Sequence, residues 1–265
     1  MDDLAKKIIK RYDDLDGQKG TLRQHFQEVA DFMLPSLASI TIQRSLGDKR
    51  TSRLYSGVAI RGLQIWTNGL YGHLTPPSSP WNALTVKNKE LLKQWDVSEW
   101  LSRTSIAMLD ALNASNFGMA IQDIYRQLGA FGTPIVYLEE GDKEQILNFK
   151  TFNAGSVAID ENNKGIIDTV IIPEKFSARQ CEQAWPDKIS DEIKKEVDKD
   201  SSVKFEILHA IIPRKEFDTR KKDSVNMPWA SYYLERKTGN MLQEGGYREF
   251  PCMVPRMNRD PNELY

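Results

Sequence analysis

Cysteine is scarce in this chain: Cys181 and Cys252 are the two cysteines among 265 residues, and they lie far apart in sequence. Neither belongs to a CxxC pair or to a Cys/His cluster. Domains that depend on disulfides use more cysteines in a shorter chain, which argues against a disulfide framework here. We therefore expect two reduced thiols that serve as packing residues.

Motifs for catalysis and metal binding are also missing. His25, His73 and His209 lie on separate segments, without HExxH or HxH spacing, so a metal site has little support. The sequence contains no GxxxxGK(S/T) phosphate loop, no GxSxG elbow and no glycine-rich dinucleotide turn. It therefore lacks the motifs of a P-loop ATPase, of a triad hydrolase and of a Rossmann oxidoreductase. We expect no cofactor and no enzymatic activity.

Adjacent carboxylates are weak candidates for acid–base catalysis. Three such pairs occur: Asp13-Asp14, Glu139-Glu140 and Asp191-Glu192. Neighbouring side chains diverge on a helix or a strand, so the two members of a pair cannot act together on one group. We expect these pairs to lie on solvated faces.

The chain has almost no net charge and no long apolar run. Its 36 Lys and Arg residues are matched by 37 Asp and Glu residues, which leaves a formal net charge of -1. A tight nonspecific binder of nucleic acid is disfavoured, because no global basic field exists. About 18 consecutive apolar residues would be needed for a membrane span, and none are present; the charged N-terminal residues do not resemble a signal peptide.

Two local clusters of basic residues remain to be explained. The first comprises Arg44, Lys49, Arg50 and Arg53, and it could contact phosphate, contact a neighbouring subunit or form a solvated loop. The second is interleaved with carboxylates that neutralise its field, so we expect a surface loop; it comprises Arg214, Lys215, Arg220, Lys221 and Lys222. The first cluster is the better candidate for a functional contact.

Helical periodicity dominates the first half of the chain. Apolar spacing predicts helices over residues 4–15, 22–33, 52–72, 96–113 and 117–130. Thr51 or Ser52 is expected to cap the third helix, which includes Tyr55, and Asp96 is expected to cap the fourth. The short turn between the fourth and fifth predicts an antiparallel pair.

Strand periodicity dominates after Thr133. Alternation and turn residues predict strands over 134–139, 145–150, 156–160, 166–173, 203–213, 229–236 and 241–247, with helices over 175–185 and 190–199. Asn162, Asn163 and Gly165 suit the positive φ of a turn. The predicted fold class is therefore α+β: a mainly helical region at 1–132, followed at 133–265 by a β-rich region with an antiparallel meander and intervening helices.

A proline-rich turn interrupts the helical region. Within the stretch GLYGHLTPPSSPWNAL, residues 69–84, the side chains of Pro76, Pro77 and Pro80 remove backbone donors and fix φ. Neither a helix nor a central strand can run through them. Trp81 follows directly and is expected to anchor an incoming strand against whatever the preceding helix packs on. We expect these four residues to form a rigid structural turn.

This stretch resembles the head-to-tail connecting proteins, the portal proteins of short-tailed, double-stranded DNA bacteriophages. The resemblance continues in the family's order at residues 115–117, 128–133 and 246–256. It implies the wing-like portion of a portal subunit. The family's stem, clip and crown come from later sequence that is absent here, so the resemblance also implies a fragment, a truncated gene product or a partial record of a longer polypeptide.

The resemblance implies a structural function in the virion. Twelve copies usually form a ring at one capsid vertex, assembled in the host cytoplasm, and DNA enters and leaves through its channel. The implied partners are further copies in a dodecamer, the capsid and scaffolding proteins, the terminase motor, the tail adaptor and double-stranded DNA, with no membrane. The alternative hypothesis is a noncatalytic soluble α+β interaction or scaffold module that forms no ring.

Overall fold

The computed structural model describes residues 3–42, 45, 47–142, 145–218, 220–221, 223–258 and 265. The described helices are α1 (Asp3–Gln18), α2 (Gly20–Met33), α3 (Val58–Leu74), α4 (Trp95–Ala114), α5 (Phe117–Phe131), α6 (Ala178–Ala184) and α7 (Asp191–Lys199). The described strands are β1 (Pro134–Glu140), β2 (Leu147–Asn153), β3 (Ala158–Glu161), β4 (Ile167–Ser177), β5 (Lys204–Pro213), β6 (Trp229–Glu235), β7 (Met241–Tyr247) and β8 (Cys252–Met253). Helices followed by antiparallel strands confirm the predicted α+β class.

The chain divides into two compact units that interleave in sequence. Unit 1 contains the described residues up to Phe26, Ala154–Cys252 and Tyr265, and unit 2 contains Gln27–Asn153 and Met253–Asn258. The predicted division at residue 132 follows the change from helix to strand, because β1 begins two residues later. The compact units have different limits, since each combines helices with strands.

Unit 1 is built on a five-stranded antiparallel sheet in the order β3-β4-β5-β6-β7. Gly165 and Gly239 make the turns at two of its hairpins, with φ of 70° and 66°. Both faces of the sheet are covered. Leu208 and Ala210 of β5 pack in one cluster with α1, whereas Ile207 packs in another with α6 and α7. Alternate residues of a strand point to opposite faces, so these helices lie on opposite sides of the sheet.

Unit 2 is organised around α5, which packs against α3 and against the β1–β2 hairpin. The β1–β2 hairpin belongs to a three-stranded sheet in the order β2-β1-β8. Gly132 ends α5 in the left-handed conformation, with φ of 77°, and its N–H donates to the Leu128 carbonyl. This left-handed residue is the usual helix terminator, and it turns the chain directly into β1.

Several predicted boundaries are wrong. Helix α3 begins after Gly57, so Thr51 and Ser52 do not cap it and Tyr55 precedes it. Helix α4 begins one residue before Asp96, with Gln94 as its N-terminal cap residue. Residues 175–177 continue β4, because the capping box of α6 is made by Ser177 at the end of that strand.

The predicted meander and the strand after Trp81 also need correction. The hairpin β1–β2 lies in one sheet and β3 lies in the other, so the strands after Thr133 form no single meander. Positive φ in the turn between β3 and β4 is confined to Gly165 among the described residues. Residues 81–86 have no regular secondary structure, since no neighbouring strand pairs with them.

Candidate functional site

The first basic cluster lies in unit 2, in the irregular segment before α3. Arg44 lies outside the described residues. Arg50 and Arg53 lie in a turn at residues 50–53, and Lys49 directly precedes this turn. The structure therefore places three of the four predicted cations in one exposed segment that leads into α3.

Arg53 is held by a buried carboxylate of its own chain. Its Nη1 donates to Oδ2 of Asp31 at 3.2 Å, and the Asp31 side chain is only 2% exposed whereas that of Arg53 is 63% exposed. Gln27 Nε2 donates to the other oxygen of Asp31 at 3.0 Å. The Gln27 side-chain oxygen accepts from the backbone N–H groups of Ile40 at 2.9 Å and Thr41 at 3.0 Å. The network ties Arg53 and residues 40–41 to α2.

Arg50 also has a partner within its own chain. Its guanidinium donates to the backbone carbonyl of Ser36. The cationic segment is thus partly committed to internal contacts, which orders a stretch that has no secondary structure of its own. A guanidinium that already holds a carbonyl or a carboxylate has fewer donors left for phosphate.

The proline turn lies at the end of α3 and meets α4. Residues 77–79 form the turn itself. A cavity of about 190 Å³ is lined by the turn residues, Pro76 to Trp81, together with Ile106, Leu109, Asp110 and Asn113 of α4. Just before the turn, the hydroxyl groups of Thr75 and Tyr125 share a hydrogen bond of 3.2 Å. The turn is therefore held against both α4 and α5.

Trp81 packs on α5 but is only half-buried. Its ring stacks on Phe117 with centroids 5.9 Å apart and an interplanar angle of 13°. Phe117 in turn meets Phe149 of β2 edge to face, with centroids 5.4 Å apart. Because α3 also packs on α5, Trp81 and the preceding helix share one support. Full burial of the indole, which the sequence could not settle, does not occur.

The histidines and cysteines do not assemble into a site. His25 and His73 are exposed on α2 and α3, whereas His209 is buried in β5, where its Nε2 lies 2.9 Å from Ser231 Oγ. In the described part of the chain, no group of three or more His, Cys, Asp or Glu residues could hold a metal ion. Burial raises the pKa of the Cys181 thiol to about 11, with the Glu235 charge as a smaller cause, and burial also raises that of Cys252.

Members of all three acidic pairs form ion pairs. Asp13 contacts Arg236 at 2.9 Å, Glu139 contacts Lys150 at 3.0 Å, and Glu192 contacts Lys237. In the second basic cluster, Arg214 contacts Glu244 at 2.9 Å and Arg220 contacts Asp218 at 3.1 Å, while Lys222 lies outside the described residues. These charges hold elements and turns together.

A buried lysine of unit 1 was missed from the sequence. The Lys19 side chain is 1% exposed, and its Nζ donates to the Val157 carbonyl at 2.8 Å and lies 3.5 Å from Asp16 Oδ1. The Tyr265 ring covers it, with Nζ 5.5 Å from the ring centroid. Burial lowers the pKa of Lys19 to about 8, against the opposing effect of Asp16. The one sequence feature that could have pointed to this residue is its position at the predicted break between two helices.

The exposed aromatic residues of α4 were also missed. Trp100 belongs to the predicted helical pattern and Trp95 directly precedes the predicted helix, yet both side chains are exposed and lie outside the buried stripe of α4. None of the described helices combines the length and the apolar character that crossing a membrane requires.

The described residues thus form ordered turns, internal ion pairs and helices that expose several large apolar side chains. Residues 5–265 match the family described as bacteriophage head to tail connecting protein, and the chain belongs to that family. It is 28% identical to the probable portal protein of Bordetella phage BPP-1 and 25% identical to the portal protein of Salmonella phage epsilon15. Each comparison covers 98% of this chain and 48% of the relative. The chain thus spans about half the length of these curated relatives.

Proposed function

We propose that this chain builds part of a structural portal subunit, which forms a ring at one capsid vertex for DNA packaging and ejection. The observation that carries the proposal is the family match over residues 5–265. The Salmonella phage relative is a portal protein and the Bordetella phage relative is a probable portal protein. Each is similar to this chain over 98% of its length. Since the chain spans about half of each relative, the proposal concerns the part of the subunit that this sequence forms.

In this proposal the chain acts through its shape and its surfaces, without catalysing a reaction. The thiol of Cys181 is buried, and its raised pKa keeps it protonated at neutral pH, which makes it a poor nucleophile. One carboxylate of each acidic pair described above is engaged in an ion pair. These contacts favour a structural protein.

The proposed partners follow from the position of a portal in the virion. They are further copies of the chain in a dodecameric ring, the capsid and scaffolding proteins, the terminase motor, the tail adaptor and the double-stranded DNA in the channel. Near-neutral charge suits DNA that must slide, because each neutralised phosphate adds affinity that movement has to undo.

The basic segment is better suited to a subunit contact than to DNA. Arg50 and Arg53 donate to Ser36 and Asp31 of their own chain, so both have internal partners. Internal partners keep the segment in one conformation, which lowers the conformational entropy lost when a neighbouring subunit docks. We therefore assign Lys49, Arg50 and Arg53 to an ordered edge of the subunit. We assign the proline turn a structural role within the same subunit.

The test uses the phage that encodes the chain. Antibodies against the chain should label a single vertex of each purified capsid in electron micrographs, and deletion of the gene should yield heads without DNA. Expression of the gene from a plasmid should restore packaged heads, which controls for effects on neighbouring genes. Labelling of every vertex, labelling of none, or normal packaging after deletion would contradict the proposal.

A further inference from the structure

Unit 2 exposes large apolar side chains at two separate places. On α4, Trp95 is 73% exposed, Trp100 is 64% exposed and Ile106 is 55% exposed. On α3 and just before it, Ile65 is 64% exposed and Tyr55 is 92% exposed. Large apolar side chains that are exposed near one another on a protein surface often mark contact sites for other proteins.

The exposed side chains lie outside the buried stripe of each helix. On α3 the buried residues are Leu63 and Thr67, whereas Val58 and Ile65, seven residues apart, share an outer face. On α4 the buried stripe comprises Leu101, Ser105 and Leu109. The side chains on these outer faces are exposed, although Ile106 and Asp110 of α4 also border the cavity at the proline turn.

Opposite charges accompany these two surfaces. Residues 48–61 contain one carboxylate, Asp48, and four cations, which are Lys49, Arg50, Arg53 and Arg61. Helix α4 contains one cation, Arg103, and three carboxylates, which are Asp96, Glu99 and Asp110. Arg53 pairs with Asp31 and Glu99 pairs with Arg103. Within the described ranges, no ion pair involves Arg61, Asp96 or Asp110, so these charges are available to a partner.

We propose that the α3 face of one copy docks on the α4 face of a second copy of this chain. The α3 face comprises Tyr55, Val58, Arg61 and Ile65, and the α4 face comprises Trp95, Asp96, Trp100, Ile106 and Asp110. The inference rests on the proposed portal function and names the surfaces through which subunits meet. Two different faces are used, so each copy keeps one face for the next, as a closed ring requires.

The surface of α3 allows a neighbour to come close. A Cβ atom at Gly62, Gly69 or Gly72 would meet nothing within 4 Å, so no packing inside the described chain requires a glycine there. Glycine weakens a helix relative to alanine, yet here it leaves room beside Ile65 for a large side chain. A tryptophan of the neighbouring copy fits such a surface, and Arg61 can then lie against its ring.

The first test is a charge exchange, measured by sedimentation equilibrium of the purified chain over a range of concentrations and salts. Arg61→Glu should weaken self-association by about tenfold or more, and so should the pair Asp96→Lys with Asp110→Lys. Combining all three substitutions should restore much of the association, because opposite charges then face each other again. Lys215→Glu reverses an exposed cation of unit 1 and should leave association unchanged.

The second test compares two isoleucines of similar exposure. Ile65→Gln removes an apolar side chain from the α3 face, and burial of such a side chain in a contact strengthens association by about tenfold or more. Ile166→Gln is the matched control, since Ile166 is 59% exposed between β3 and β4 of unit 1. We expect Ile65→Gln to weaken self-association and Ile166→Gln to leave self-association unchanged.

The outcomes separate this inference from the proposed function. Self-association that none of the reversals affects would overturn the inference, while rings closed through other surfaces would still suit a portal. Altered melting of the monomer without altered association would mean that the faces are covered within one chain, and it would also overturn the inference. Loss of DNA retention in Arg61→Glu with unchanged association would make the α3 face a DNA contact instead. A chain that stays monomeric throughout overturns the inference, even where antibodies label one capsid vertex.

Discussion

Lys19 carries a charge into the interior of unit 1. Its ammonium group is almost inaccessible, and a backbone carbonyl and the Asp16 carboxylate lie within reach. Burial lowers its pKa from 10.5 to about 8, because the charged form loses hydration. Lys19 stays charged at neutral pH, and burying this charge lowers the stability of the fold. Its hydrogen bond to the Val157 carbonyl connects the residue after α1 to residue 157.

The lowered pKa predicts a pH-dependent stability. Between pH 8 and 10.5 the unfolded chain binds more protons at this residue than the folded chain, so the free energy of unfolding should rise with pH in that window. Relative to Lys19→Met, the wild-type chain should gain about 2 kcal/mol between pH 7 and pH 10. Urea unfolding at each pH measures the difference.

Comparison of two variants removes the effects of other titrating groups. Tyrosine and cysteine side chains also titrate at alkaline pH, but they are present in both proteins and cancel. Lys164→Met, at an exposed turn, should show the pH profile of the wild-type chain. An equal difference between wild type and Lys19→Met at pH 7 and at pH 10 would contradict the assigned burial.

Trp81 should contribute less than a fully buried tryptophan. We expect Trp81→Ala to lower the free energy of unfolding by about 1.5–2.5 kcal/mol, roughly half the loss for a fully buried tryptophan. Trp81→Phe should recover most of this loss, because a phenyl ring can still stack on Phe117. Denaturant unfolding measures both variants, and a loss as large for Phe as for Ala would argue against stacking.

At the residue scale, the sequence predicts the kind of contact better than its extent. The position of Trp81 after the proline turn predicted that it packs on the same element as the preceding helix, α3. That element is α5, and the Trp81 ring stacks on Phe117 of α5. Its half-burial depends on how far α4 stands from the turn, which no local pattern encodes. Lys19 was missed because its cover, the Tyr265 ring, comes from 246 positions further along the chain.

Helix α5 can approach α3 because of one glycine. A Cβ on Gly129 would lie 2.8 Å from Leu63 Cδ1 and 2.8 Å from ring atoms of Trp66. Gly129→Ala should therefore destabilise the chain by about 1–2 kcal/mol, although alanine is the better helix former. Thermal and urea unfolding measure the change.

A second glycine provides the matched control. Gly62 lies on the outer side of α3, where an added Cβ meets nothing within 4 Å. Gly62→Ala should stabilise the monomer by about 0.5–1 kcal/mol, since only the helix preference remains. The two substitutions should thus have opposite signs. Stabilisation by both would show that α3 and α5 are less close than described.

At the element scale, periodicity predicts the existence of helices and strands more reliably than their ends. The hairpin β6–β7 and the helices α5 and α7 follow their predicted ranges closely, whereas β2 begins at Leu147 and ends at Asn153, later than the predicted 145–150. Helix α3 starts late because the segment before it is held by Arg50 and Arg53 in contacts with distant residues. The assignment of strands to two sheets depends on long-range pairing, which spacing within a segment does not specify.

At the scale of the whole molecule, these features of the chain suit the proposed role of a subunit that works through its surfaces. Its net charge is -1, one carboxylate of each acidic pair contacts a cation, and several aromatic side chains of unit 2, including Tyr55, Trp95 and Trp100, are exposed. The order of short motifs along the sequence was enough to indicate the family, because such motifs specify turns and close packing. The faces that meet a neighbour could not be predicted, since they depend on which helix sides remain uncovered after folding.

The most direct measurement is the mass and shape of the complete gene product in solution. Sedimentation combined with negative-stain electron microscopy should show closed rings with a central opening and a fixed number of copies. Weakly bound neighbours should dissociate on dilution or in high salt without unfolding. A compact monomer at every concentration and ionic strength, with no ring in the micrographs, would contradict the account.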